Sequence, residues 1–129
     1  MKYMLETSVC VSLIRGRASA ARLPAASECV LSTITVAELE VGVRRSVRPA
    51  AQRKAVNAFT EIFEVLNWDL QTTSYYGDLR VDLAKRGIVI GPLDMLIAAH
   101  ALRLGATLVT ANFREFRRVA DLQCLEWKL

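Results

Sequence analysis

The sequence predicts an α/β fold, a short parallel β-sheet flanked by helices on both faces, in a single domain. Two observations carry this. Short apolar or β-branched runs such as Lys2–Leu5, Cys29–Ile34 and Thr107–Thr110 alternate with longer segments of helical period. A parallel sheet needs such a crossover segment between its strands. The composition supplies the second: of 129 residues, 53% are hydrophobic and 23% charged, enough apolar chain for one buried core.

Taken in order, Lys2–Leu5 is the first strand, and Val9–Ile14 is apolar and opens a helix. Arg17–Ala26 is rich in alanine and predicts a second short helix ending near Pro24. Cys29–Ile34 reads as a strand, Thr35–Arg45 and Ala50–Ile62 as helices, and Phe63–Trp68 as a further strand. Thr72–Arg86 is helical and stopped by Gly87. Ile88–Ile90 has the composition of a strand and equally suits a buried connection. Pro92–Leu104 is a helix with proline near its first position and Gly105 just past its end. Thr107–Thr110 is β-branched, and Leu122–Trp127 completes the sheet as an edge strand.

The same reading excludes several classes. No apolar run reaches the roughly 18 residues of a membrane span, since Gly91, Pro92 and Asp94 interrupt Ile88–Leu102. Met1–Leu5 lacks the length and cleavage pattern of a signal peptide, so a cytoplasmic protein is expected. Cys10, Cys29 and Cys124 form no CxxC pair, and Cys10 and Cys29 read as core residues. His100 is the lone histidine, with no cysteine near it in sequence, which argues against zinc. Neither glycine-rich phosphate loop is present. The net charge of +4 is clustered at Arg44, Arg45 and Arg48, at Arg53 and Lys54, at Lys85 and Arg86, and at Arg114, Arg117 and Arg118. Such clusters suit a polyanion, and equally suit solvated helix faces.

In an open parallel sheet, sites form beyond the carboxyl ends of the strands. That rule selects Glu6 after the first strand, Glu38 in the helix after the second, Asp94 opening the Pro92 helix, and Asn112 and Glu115 after Thr107–Thr110. Converging carboxylates repel unless a cation lies between them, and their oxygens suit a hard ion. Each residue also has a structural reading. Thr35-Val36-Ala37-Glu38 fits a capping box, Asp94 suits a helix dipole, and Asn112 suits a turn. Glu40 and Asp82 lie among basic residues and read as surface partners, and His100 reads as a packing residue.

At these residues the chain resembles the PIN-domain family, in particular its VapC-type toxins. Tyr3-Met4-Leu5-Glu6-Thr7-Ser8 is similar to the family's opening strand and turn. Ser32-Thr33-Ile34-Thr35-Val36-Ala37-Glu38-Leu39 with Gly42, Gly91-Pro92-Leu93-Asp94 with Ile97-Ala98-Ala99-His100-Ala101, and Leu108-Val109-Thr110-Ala111-Asn112 with Arg114-Glu115-Phe116 resemble its later segments. The resemblance implies a PIN-like fold over residues 1–129 and an endoribonuclease dependent on Mg2+ or Mn2+. It implies Glu6, Glu38, Asp94, Asn112 and Glu115 as catalytic residues, with Glu6, Glu38 and Asp94 on the metal. It further implies an RNA substrate, a homodimer, a VapB-type antitoxin, and operator DNA reached only through that antitoxin. Where the family almost always has aspartate this chain has Glu6, which keeps the charge and moves the carboxylate one methylene outward. A second reading follows: a catalytically impaired PIN domain that serves as a binding module for its antitoxin. Tyr75, Tyr76 and Trp68 are candidates for base stacking and equally for core or rim.

Overall fold

A computed structural model describes residues 2–17 and 22–128 of the chain. Five strands form one sheet: β1 (Tyr3–Leu5), β2 (Cys29–Ser32), β3 (Glu64–Leu66), β4 (Thr107–Thr110) and β5 (Cys124–Glu126). Their order is β3-β2-β1-β4-β5, and every pairing is parallel. The helices are α1 (Thr7–Ile14), α2 (Thr33–Arg45), α3 (Pro49–Ile62), α4 (Thr72–Lys85), α5 (Pro92–Leu104) and α6 (Phe113–Phe116).

Strand alternation divides the core between the two faces of the sheet. Met4, Val30 and Leu108 pack with Leu79 and Leu83 of α4 and Ile97 and Ala98 of α5. Their chain neighbours Leu5, Leu31 and Val109 pack with Val9 of α1, Leu39 and Val43 of α2, and Val56 and Phe59 of α3. Both Cys10 and Cys29 are buried in that second layer, as expected of small core residues. A strand buried on both faces reads as a continuous apolar run, which is how β1, β2 and β4 announce themselves in sequence.

Most expected elements are present, with boundary shifts that have physical causes. β2 ends at Ser32, not Ile34, because the Ser32 hydroxyl accepts the Ile34 N–H at 3.1 Å and starts α2 there. The capping box expected at Thr35–Glu38 is therefore not formed: Thr35 is buried inside α2 and Glu38 faces elsewhere. Ile88–Ile90 is a connection and not a strand. Of the helix expected over Arg17–Ala26, residues 18–21 lie outside the described residues, and Leu23–Ala25 carry no helix before a 3-10 turn at Ala26–Glu28. Gly105 ends α5 in the left-handed conformation at φ 63°, which returns the chain into β4. No helix among the described residues is long and apolar enough to cross a membrane.

The chain visits β1, β2 and β3 on one side before crossing to β4 on the other side of β1. The connections thus diverge between β1 and β4, and the crevice at their carboxyl ends is where this topology builds sites.

Candidate active site

Glu6 follows β1 and caps α1 in extended conformation. Its Oε2 accepts the Ser8 N–H at 2.8 Å, and its Oε1 accepts the Ser8 hydroxyl at 2.6 Å and the Thr110 hydroxyl at 2.5 Å. The side chain is 2% exposed. Both hydroxyls serve twice: Ser8 Oγ accepts the Ala111 N–H at 3.0 Å, and Thr110 Oγ1 accepts the Asn112 N–H at 2.9 Å. The turn after β1 is thereby tied to the turn after β4.

Glu38 reaches the same crevice from the second turn of α2. Thr7 Oγ1 donates to its Oε1 at 2.7 Å, and Thr7 Oγ1 and Thr35 Oγ1 lie 3.3 Å apart. Burial raises the Glu38 carboxyl above its ordinary range and the nearby Glu6 charge adds to this, against the Thr7 hydrogen bond. Asp94 enters from the first turn of α5, whose N-terminus points to this edge of the sheet. Its carboxyl is pushed up to about 7, first by burial, then by the charge and hydrogen bonding of Glu115, with smaller contributions from Glu6 and Glu38. Glu115, on α6, accepts the Gly91 N–H at 3.2 Å, which fastens it to the loop that delivers Asp94.

The structure thus brings Glu6, Glu38, Asp94 and Glu115 into one electrostatic unit. Asn112 does not join it in the same way. It is exposed, and its side chain makes no hydrogen bond to an acid among the described residues. Thr110 is absent from the sequence-based set, although it holds Glu6 directly. A hydroxyl at a strand's carboxyl end is the signal that finds it, and Ser32 repeats that signal at the end of β2. His100 is buried and braces that end of β2, its Nδ1 2.8 Å from Ser32 Oγ, and burial lowers its pKa. It is a packing residue, as expected.

None of the four acids forms an ion pair with lysine or arginine among the described residues. No group of three or more His, Cys, Asp or Glu side chains there stands preassembled around an ion. The donor set is nonetheless all carboxylate oxygen and its like charges raise Asp94, so a hard divalent cation fits its chemistry. Outside the crevice, Glu40 pairs with Arg53 and Arg44, and Asp82 pairs with Arg86, as the sequence suggested. Arg15 and Arg45 form no such pair among the described residues. With Glu38 and the apolar Val11, Ile14 and Leu39 they line a cavity of about 330 Å³ between α1, α2 and α3. Trp68 donates through Nε1 to the Leu96 carbonyl at 2.9 Å and packs edge-on to Tyr76, so neither ring is a free stacking platform.

The chain is similar to known proteins over nearly its whole length. The family model described as PIN domain matches residues 3–122. Ribonuclease VapC2 of Rickettsia felis is 35% identical over 132 aligned residues, covering 98% of each chain. The tRNA(fMet)-specific endonuclease VapC of Salmonella typhimurium is 34% identical over 131 residues, again with 98% of each covered. Among solved structures, VapBC2 from Rickettsia felis bound to a promoter DNA fragment superposes with a TM-score of 0.93 at 35% identity, covering 99% of this chain and 100% of that one. DNA-bound VapBC from Salmonella typhimurium gives 0.94 at 34% identity, with 99% of both chains covered.

Proposed function

The chain belongs to the PIN-domain family, and on that premise we propose that it is a divalent-metal-dependent endoribonuclease, the toxin half of a toxin–antitoxin pair. The observation that carries the reading is the convergence of Glu6, Glu38, Asp94 and Glu115 at the β1–β4 crevice with no lysine or arginine paired to them among the described residues. A structural role would pair such acids, as Glu40 is paired.

The residues that would present oxygens to Mg2+ or Mn2+ are Glu6, Glu38 and Asp94, with Glu115 beside Asp94. A bound divalent ion supplies Lewis-acid polarisation of a phosphodiester and a lowered pKa for an attacking water. Thr7 orients Glu38, and the Gly91 amide orients Glu115. Asn112, on the rim, offers an amide to the RNA. Arg15 and Arg45 line a path beside Glu38 that attracts the phosphate backbone. The described His100 is held by Ser32, so no histidine base acts on the substrate.

Relatives of this fold are solved as VapBC assemblies, two of them on DNA. This chain is accordingly assigned a VapB-type antitoxin partner, a homodimeric arrangement, contact with operator DNA only through the antitoxin, and a cytoplasmic place of action. The test is cleavage of initiator tRNA, the substrate in the name of one relative, and of other structured RNAs by the purified chain. Cleavage is expected with Mg2+ or Mn2+, and is expected to stop in excess EDTA and on addition of the antitoxin. Antitoxin binding without metal-dependent cleavage would instead establish the binding-module reading.

A further inference from the structure

We propose that the cavity between α6 and the end of β5 seats an unpaired RNA base beside the scissile phosphate and, through Glu126, prefers a base with an exocyclic amine over uracil. The inference rests on the ribonuclease reading above and names what that site selects.

The cavity is about 350 Å³ and is lined by Asn112, Phe113, Arg114, Glu115 and Glu126. Its place follows from the sheet. Thr110 and Glu126 are register partners at the ends of β4 and β5. The Trp127 N–H donates to the Thr110 carbonyl at 2.8 Å, which fixes Glu126 next to the turn after β4. Glu115 lines this cavity, and Glu38 lines the one that holds Arg15 and Arg45. β2 leads into α2 and β4 into α6, on opposite sides of β1. The crevice acids therefore lie between the two cavities, and one RNA strand that passes over the acids reaches both.

The side chains in the α6–β5 cavity are those that a base needs. Phe113 is half-buried yet packs in neither core layer, and aromatic rings at such sites stack on bases whatever their identity. Arg114 and Glu126 are exposed and have no ion-pair partner among the described residues. An arginine there attracts the phosphate backbone. A carboxylate repels it, so Glu126 beside the strand's path weakens binding unless it meets a donor on the RNA. An ionised carboxylate only accepts hydrogen bonds. It accepts from the amine of cytosine, whereas uracil turns a carbonyl oxygen to it at the same place. The Asn112 amide donates and accepts, and so adapts to either. Arg15 and Arg45 meet phosphate, which carries no sequence. The two cavities thus divide the work: one holds the strand, and the other chooses the base.

Short oligocytidylate and oligouridylate test this, since their bases differ chiefly at that edge. Fluorescence anisotropy in EDTA follows binding, and single-turnover assays at saturating Mn2+ follow cleavage. The parent should bind and cleave oligocytidylate about tenfold better than oligouridylate. E126Q, whose amide can donate as well as accept, should bring the two to within about twofold of each other, mainly by gaining on oligouridylate. E126K should reverse the preference, and decides the matter should E126Q fold poorly. F113A should weaken both oligonucleotides alike by about tenfold. R45M should weaken both alike and make affinity less dependent on salt. Equal affinity of the parent for the two oligonucleotides would overturn the proposal, as would a preference for oligocytidylate that survives in E126Q or E126K. No Mn2+-dependent cleavage of either oligonucleotide or of initiator tRNA would refute the ribonuclease reading instead, and the binding ratio in EDTA still decides this one.

Discussion

Asp94 at the mouth of the crevice and Glu40 on the outer face of α2 are acids on neighbouring helices with opposite fates. Glu40 lies against Arg53 and Arg44, and their hydrogen bonds and charges hold its carboxyl down at about 2. Asp94 is half-buried beside Glu115, with Glu6 and Glu38 behind it, and rises to about 7. The sequence offers arginines near both helices, yet the fold delivers them to only one. A protein that leaves like charges together and unpaired is accepting a stability cost, and such sites are where function resides. The contrast separates the acids that serve chemistry from those that serve the surface.

The largest expected effect comes from removing the charge that makes the crevice unlike the surface. Asp94→Asn should lower metal-dependent RNA cleavage by on the order of a hundredfold or more, since the ion loses an oxygen charge and its place. The metal-free fold should be as stable as the parent or more so, because one member of a repelling pair is gone. Single-turnover assays and thermal melting in EDTA check both halves. Undiminished cleavage would reduce Asp94 to a helix-dipole residue.

A smaller effect should appear in the pH dependence of stability. The folded-state pKa of Asp94 is raised from 3.8 to about 7, so the folded protein binds more protons than the unfolded chain between those values. Its contribution to stability therefore falls as pH rises through that window. In EDTA the melting temperature should carry this downward contribution from about pH 4 to pH 7, and saturating Mg2+ should flatten it by neutralising the cluster. Asp94→Asn should remove it. A parent profile identical to that of Asp94→Asn would show that the acids of the crevice do not feel one another.

Much of this was legible in the chain. β4 and α5 were readable to the residue because β-branching, Pro92 and Gly105 are local signals that tertiary contacts do not override. The acids were readable because the carboxyl ends of parallel strands are where such folds build sites, and Glu6, Glu38, Asp94 and Glu115 all fall there. What local reading missed is long-range. The start of α2 shifted because the hydroxyl of Ser32, and not that of Thr35, caps the helix at the strand end. The hold of Thr110 on Glu6 joins residues 104 apart in sequence, and its local signal, a hydroxyl at a strand's carboxyl end, does not name its partner. The basic clusters suited a polyanion or a solvated helix face equally, and one arginine from each of two of them, Arg44 and Arg53, is committed to Glu40.

The smallest effect should come from Glu40, and its sign opposes that of Asp94. Because the folded-state pKa of Glu40 is depressed, the stability it contributes is present at neutral pH and lost as pH falls from about 4.5 toward about 2. The pair is exposed, so much of its attraction is screened. Glu40→Gln should lower the melting temperature by only about 1–3 °C at low ionic strength, and the difference should shrink at about 0.5 M salt. Cleavage chemistry should be untouched, since Glu40 has no contact with the crevice acids. Arg44 and Arg53 would lose their shared carboxylate, so RNA should bind slightly tighter at low salt, with a steeper dependence of affinity on salt concentration. Salt-dependent filter binding and single-turnover rates for the two proteins separate these effects. A cleavage rate that fell in Glu40→Gln as it does in Asp94→Asn would erase the distinction between surface and crevice acids.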